Sequence, residues 1–292
     1  MKIKESLGYR TFTVANTIFL TILSVVMIYP LLYVAFASFS NPDMFLRHEG
    51  LLLYPLGANL DTYRRVLENS MIWTGYKNTL IILVGATSLN VALTIIAAFV
   101  LSRKNLAYGK IIMKCIVFTM YFSGGLIPTY MNIRSLGLDN TLWALIIPGA
   151  ISATNMIILK SAFASVPDSL EESATLDGAN PFTVMTRIIV PLSGPSIAVI
   201  VLYYAVGHWN SWFGAMIYLR DRAKYPLQLV LREILIQNNT DNMMDDLATD
   251  QSSIAETIKY AVIMVSTVPI LCAYPLLQKY FVKGVMVGAV KG

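Results

Sequence analysis

Charge is scarce in this chain. Asp, Glu, Lys and Arg make up 13% of its 292 residues, about half the share of a soluble domain. The two cysteines, Cys115 and Cys272, lie in apolar runs and read as packing residues, not as a disulfide. Two histidines, His48 and His208, exclude a histidine-rich metal site. No G-x-x-x-x-G-K-[ST] string occurs, so ATP is not bound by a phosphate loop of that kind. H-E-x-x-H and G-x-S-x-G are missing as well, which removes the common metalloprotease and serine-hydrolase signatures. The net charge of +5 is not gathered on a basic helix with interleaved aromatics, so it does not point to nucleic acid.

What the chain has instead is apolar sequence. Hydrophobic residues make up 56% of it, and the mean hydropathy is +0.61. The composition predicts an all-α polytopic membrane protein built as one helical domain. Six runs suit a hydrocarbon core of ~30 Å: about 17–39, 78–101, 111–130, 141–163, 196–219 and 257–282. Together they define a membrane domain over 17–282, between an N-terminal segment 1–16 and a tail 283–292. The first run is too long for a cleaved signal peptide and lacks a small-residue cleavage site. Pro30 is expected to kink it or tilt its second half, and Gly124, Gly125 and Pro128 to interrupt the far end of the third run. Polar segments 40–75, with a helix over 59–68, and 220–256 separate the runs on one side. Lys and Arg crowd the span ends on the other. That bias places both termini and the loop 166–195 in the cytoplasm, with the cluster Arg220–Lys224 running against it. The middles of the spans hold almost no carboxylate or lysine, which disfavours a proton- or sodium-driven carrier.

The stretch Val166–Pro195 carries two helix starts. Asp168 or Ser169 is placed to cap the first, with Glu171 or Glu172 closing a capping box. Gly178 permits a sharp turn. Asn180-Pro181 is a second cap with proline at the first helical position, and Pro191 is expected to end that helix. Leu170, Ala174, Ala179, Phe182 and Met185 form an apolar contact surface. The segment reads as a docking element, against the plainer reading of an ordinary capped hairpin.

Glu172-Ser173-Ala174, Gly178 and Ile188-Ile189-Val190-Pro191 fall at the spacing of the EAA loop, although Ser173 and Val190 replace its usual alanine and leucine. The string Glu171–Ala179 resembles the carbohydrate branch of that pattern. Asn78-Thr79-Leu80, Ala98–Arg103, Trp209–Trp212, Tyr225-Pro226-Leu227 and the tail Gln278–Gly292 extend the likeness over nearly the whole chain. The chain thus resembles the permease subunits of binding-protein-dependent ABC importers, nearest to the lipoprotein-associated complex-oligosaccharide permeases of Gram-positive bacteria. The resemblance implies a type I importer permease fold in a bacterial cell membrane, with no enzymatic activity of its own. It implies that Glu171, Glu172, Ser173, Ala174, Asp177, Gly178, Ala179 and Phe182 dock an ATPase. It also implies a second permease subunit as heterodimer partner, two cytoplasmic ATPase domains and an extracellular sugar-binding lipoprotein. No cofactor is expected in this chain; ATP and Mg²⁺ belong to the partner ATPase.

A sugar path needs aromatic faces and amides or hydroxyls. Candidates are Tyr121 and Thr129 in the third run, Asn155 in the fourth, and Tyr203, Trp209, Asn210, Trp212 and Phe213 in the fifth. Each also has a structural reading, as interfacial aromatic belt or interhelical hydrogen bond. His208 reads as a neutral hydrogen-bonded residue and not as a pH switch. Two rival functions remain at this point: a self-sufficient secondary carrier, and a membrane scaffold that recruits a cytoplasmic partner.

Overall fold

The computed structural model describes residues 6–244, 257–272 and 274–275, and these are helical with no strand among them. The tail motif from Gln278 onward, the end of the sixth run and the Asn- and Asp-rich stretch beyond Met244 lie outside the described residues. The chain divides into two compact units, the first from the segments Met1–Asn69 and Leu231–Val268, the second from Ser70–Val230 and Pro269–Gly292.

The first unit is led by α1 (Leu7–Phe39), a 33-residue helix capped by Ser6, whose hydroxyl accepts from the Tyr9 amide. Its hydroxyl residues do not need water. Thr13, Thr17, Thr21 and Ser24 each donate to the carbonyl four residues back, which lets them sit on an apolar helix with no unsatisfied group. Pro30 stands inside the helix without ending it. Two short helices follow, α2 (Pro42–Leu46) and α3 (Asp61–Glu68). Ser38 Oγ meets Tyr63 Oη at 2.8 Å and so ties the end of α1 to α3. Tyr33 and Phe45 both pack edge-on against Tyr260.

The second unit is built around α4 (Ser70–Ser102). This helix starts eight residues before the apolar run does, because Lys77 and Asn78 mark the end of hydrophobicity and not the end of the helix. After α4 the third run is interrupted where its glycines predicted, and the fourth is broken where no interruption was expected. The third run is α5 (Gly109–Tyr121) and α6 (Leu126–Ser135), bent by 112°. Gly125 at the break has φ +85°, a backbone state glycine adopts without strain. The fourth run is not continuous: α7 (Trp143–Ile146) stops short of Pro148-Gly149, and α8 (Ala153–Ala164) restarts with Ser152 as its cap. The loop helices α9 (Asp168–Leu176), α10 (Pro181–Val184) and α11 (Val190–Leu192) follow. Then come α12 (Gly194–Asn210), α13 (Phe213–Tyr218) and α14 (Leu227–Met244). The last described helix, α15, is Thr257–Cys272. Among the described residues two helices are long and apolar enough to cross a membrane, and up to four spans result if each bent pair counts as one.

The core of the second unit joins α4, α8, the loop and α12. Ala98, Phe99, Leu159, Phe163, Val184, Met185, Ile189, Ile200 and Tyr204 are buried there together. At the other end of α4, Asn140 takes a left-handed backbone (φ +55°), and its Oδ1 accepts from the Arg220 and Asp221 amides at 3.0 and 3.1 Å. Arg220 pairs with Asp139 at 2.8 Å, and Lys224 Nζ donates to the Asn140 carbonyl at 2.9 Å.

Candidate functional site

The loop folds as two helices, with one correction at each end. No capping box closes α9. Pro167 is its N-cap residue and makes no side-chain cap bond. The carboxylates that would have capped it are drawn sideways: Asp168 pairs with Lys104, and Glu171 with Arg103. A charged partner across the fold outcompetes the local amide. The second start forms as expected. Asn180 Oδ1 accepts from the Thr183 amide at 2.8 Å, and Gly178 turns the chain at φ +84°. Pro191 does not end the second helix. A π-turn over Met185–Ile189 precedes it, the Val190 amide donating back to Met185, and the helix runs on to Leu192. The wider turn makes room for the proline ring, which would clash in a regular α-helix.

Two sets of apolar residues separate on this loop. Ala174 and Ala179 pack against the core beneath, and Met185 is only 7% exposed. These three seat the loop on the protein itself. Phe182 is 68% exposed, Leu170 is partly exposed, and Leu176 stands out at 88%. Leu176 was not singled out by the sequence reading, although it shares the helix with Leu170. Glu172, Ser173 and Asp177 are exposed polar neighbours.

An open groove of about 990 Å³ runs between the end of α4 and α9, lined by Phe99, Arg103, Lys104, Leu106, Asp168, Glu171, Glu172 and Leu176 among others. Arg103 lies over the Phe99 ring at 4.8 Å and donates through Nε and Nη2 to Ser102 Oγ at 3.2 and 2.9 Å. Partial burial holds its pKa below the usual guanidinium value, an effect that Asp168 opposes. The hydrogen bond between Lys104 and Asp168, followed by their mutual attraction, raises the amine and lowers the carboxyl.

The residues predicted for a sugar path differ in exposure. Tyr121, Thr129, Tyr203, Asn210 and Phe213 are exposed. Thr129 Oγ donates to the Gly125 carbonyl at 2.7 Å, and Asn210 Nδ2 to Val206 at 3.0 Å. Trp212 meets Phe213 edge-on at 5.5 Å. Trp209 and Asn155 turn inward; Trp209 is 7% exposed, its ring 6.3 Å from Tyr76. His208, expected to be hydrogen-bonded, belongs to a polar ladder whose partners the sequence did not pair. Asn90 Nδ2 and His208 Nε2 are 2.9 Å apart, Thr94 Oγ and Tyr204 Oη 2.7 Å, and the Ser152 amide donates to Tyr204 Oη at 2.9 Å. The available signal was a pair of i, i+4 polar residues in each of two apolar helices.

These features define a helical protein with membrane-spanning helices and a two-helix loop held against the end of one long helix. The chain belongs to the family described as binding-protein-dependent transport system inner membrane component, which matches residues 6–287. The polygalacturonan/rhamnogalacturonan transport system permease protein YtcP of Bacillus subtilis is 40% identical over 275 residues, covering 94% of this chain and 96% of that protein. Protein LplC of Bacillus subtilis is 39% identical over 288 residues, covering 97% and 96%. The structure of a bacterial ABC transporter involved in the import of the acidic polysaccharide alginate contains a chain 31% identical to this one. The two superpose with a TM-score of 0.87 over 96% of this chain and all of that one. The chain is a permease subunit of a binding-protein-dependent sugar ABC importer. It is an inner-membrane component, and its part is transport, not catalysis.

Proposed function

We propose that this subunit forms half of the translocation path for an acidic oligosaccharide and docks a cytoplasmic ABC ATPase through the loop 168–192. Six spans cross the membrane, with both termini and the loop in the cytoplasm. A second permease completes the pore. A sugar-binding lipoprotein delivers the substrate from outside, and ATP and Mg²⁺ are held by two ATPase domains. The substrate class rests on the relatives: polygalacturonan and alginate both carry carboxylates, and transporters named for them are 40% and 31% identical to this chain.

The observation that carries the docking reading is the exposure of Leu176 and Phe182 on a loop whose Ala174, Ala179 and Met185 pack against its own protein. Water-exposed apolar side chains at a polar loop tip mark a protein contact. Burying each is worth roughly 1.5–3 kcal/mol. Leu176→Asp combined with Phe182→Asp is therefore expected to weaken ATPase binding by at least about 100-fold, while the second permease still co-purifies. Unchanged ATPase recovery from the variant would refute the dock.

A further inference from the structure

The loop must do more than touch the ATPase; it must pass movement on. Its apolar seat, through Ala174 and Ala179, resists being pushed toward the core. Pulling α9 away costs only the small area these two alanines bury, at about 25 cal/mol per Å², so this seat by itself grips that helix weakly. A transport cycle moves in both directions. The structure adds a directional polar tie at the end of α4. Arg103 is held to that helix twice, by its stacking over Phe99 at 4.8 Å and by its bonds to Ser102 Oγ, and its remaining nitrogen grips Glu171 on α9. Lys104 and Asp168 make a second, more exposed tie beside it.

The helix so gripped is 33 residues long, about 50 Å at the usual rise per residue. It is fastened at two further stations. Midway, Asn90 and Thr94 bond to His208 and Tyr204 of α12. At its far end Asn78 Nδ2 donates to the carbonyls of Ala223 and Tyr225 at 2.8 and 3.1 Å, and Thr79 Oγ1 accepts from the Leu227 amide at 2.8 Å. Gly75 lets the chain at Leu227 lie so close that an added Cβ would come within 3.0 Å of the Leu227 Cα. Loop, helix interior and opposite surface are thus attached to a single rod.

We propose that Arg103 is the positioning residue that couples the docking loop to α4, and that α4 carries ATPase-driven movement from the loop to the segment 223–227 on the opposite side. This rests on the reading of the loop as the ATPase dock. It also assigns the loop's carboxylates: Glu171 and Asp168 work within the chain, leaving Glu172 and Asp177 to face the ATPase.

The test needs no substrate. In the assembled importer with Cys115→Ser and Cys272→Ser, an exposed reporter Lys77→Cys is placed near the far end of α4. Its rate of maleimide labelling is compared with and without ATP and vanadate, in the presence of the binding protein. With Arg103 intact, nucleotide is expected to change the rate at least about 3-fold. Arg103→Gln removes the charge without setting two carboxylates together; it is expected to abolish the change while the ATPase still co-purifies. Arg103→Glu is expected to do the same, and Arg103→Glu with Glu171→Arg to restore the response. A full-sized response in Arg103→Gln, no response with Arg103 intact, or a swap that fails to restore it would overturn the proposal. Absence of the ATPase from the complex with the unaltered loop would instead overturn the docking reading.

Discussion

Tyr204 joins three helices through one hydroxyl. It lies 2.7 Å from Thr94 Oγ on α4 and accepts the Ser152 amide at the start of α8, while its own ring sits in the core on α12. Tyr204→Phe leaves that buried amide and the threonine hydroxyl without their partner. The loss is expected to be about 1 kcal/mol, a fall of roughly 2–4 °C in thermal midpoint for a chain of this size, with ATPase binding intact. Thermal unfolding in detergent checks this, and an unchanged midpoint would show the hydroxyl to be idle. At this scale the sequence was readable where the interaction is local. Asn180 as a cap and Gly178 as a turn follow from residue type alone, because their partners lie within a few positions. Asp168 did not, since its partner Lys104 is 64 residues away and only the fold brings it near. Trp209 shows the same limit: its neighbour Tyr76 is distant in sequence, and only the fold brings the two rings to 6.3 Å.

Among the elements, α9 is bound to α4 by two ion pairs with different exposure. Arg103 and Glu171 are 21% and 30% exposed, Lys104 and Asp168 80% and 57%. The second pair is therefore the one that salt will screen. Its pH window follows from the two shifts. Asp168 is lowered by Lys104, so its contribution is full above the ordinary carboxylate pKa of about 3.9 and is lost as pH falls through the lowered value. Lys104 is raised by Asp168, so its contribution is full below about 10.4 and is lost as pH rises through the raised value. The difference in thermal midpoint between the parent chain and Lys104→Met is expected to be constant from about pH 5.5 to 9 and to shrink as NaCl is raised. A difference that titrates near neutrality would contradict the assignment. Element existence was legible from hydropathy, and element continuity only in part. Gly124-Gly125 did announce the break in the third run, but Pro148-Gly149 splits the fourth unannounced, because a run of apolar residues records burial or lipid contact and not an unbroken hydrogen-bond ladder. The π-turn before Pro191 escaped for a related reason: proline signals a broken α-helix, but a wider turn accommodates it.

For the whole molecule, the membrane class and the importer family could be read from composition and from the loop, and the match over residues 6–287 bears both out. What stayed hidden was the use of α4 as a common attachment. Its fastening points at 78, 90, 94 and 103 look in sequence like scattered polar residues in and beside an apolar run, and only packing reveals their partners. Transport of an acidic sugar chain by an ATP-driven complex is the claim that all of this serves. The direct measurement is uptake of labelled trigalacturonate into proteoliposomes holding this subunit, its partner permease, the ATPase and the binding protein. Uptake that requires ATP, and exceeds that of a neutral trisaccharide by at least about 10-fold, is the predicted result. That ratio corresponds to about 1.4 kcal/mol of discrimination. ATP-independent uptake, or equal uptake of the neutral sugar, would contradict the account.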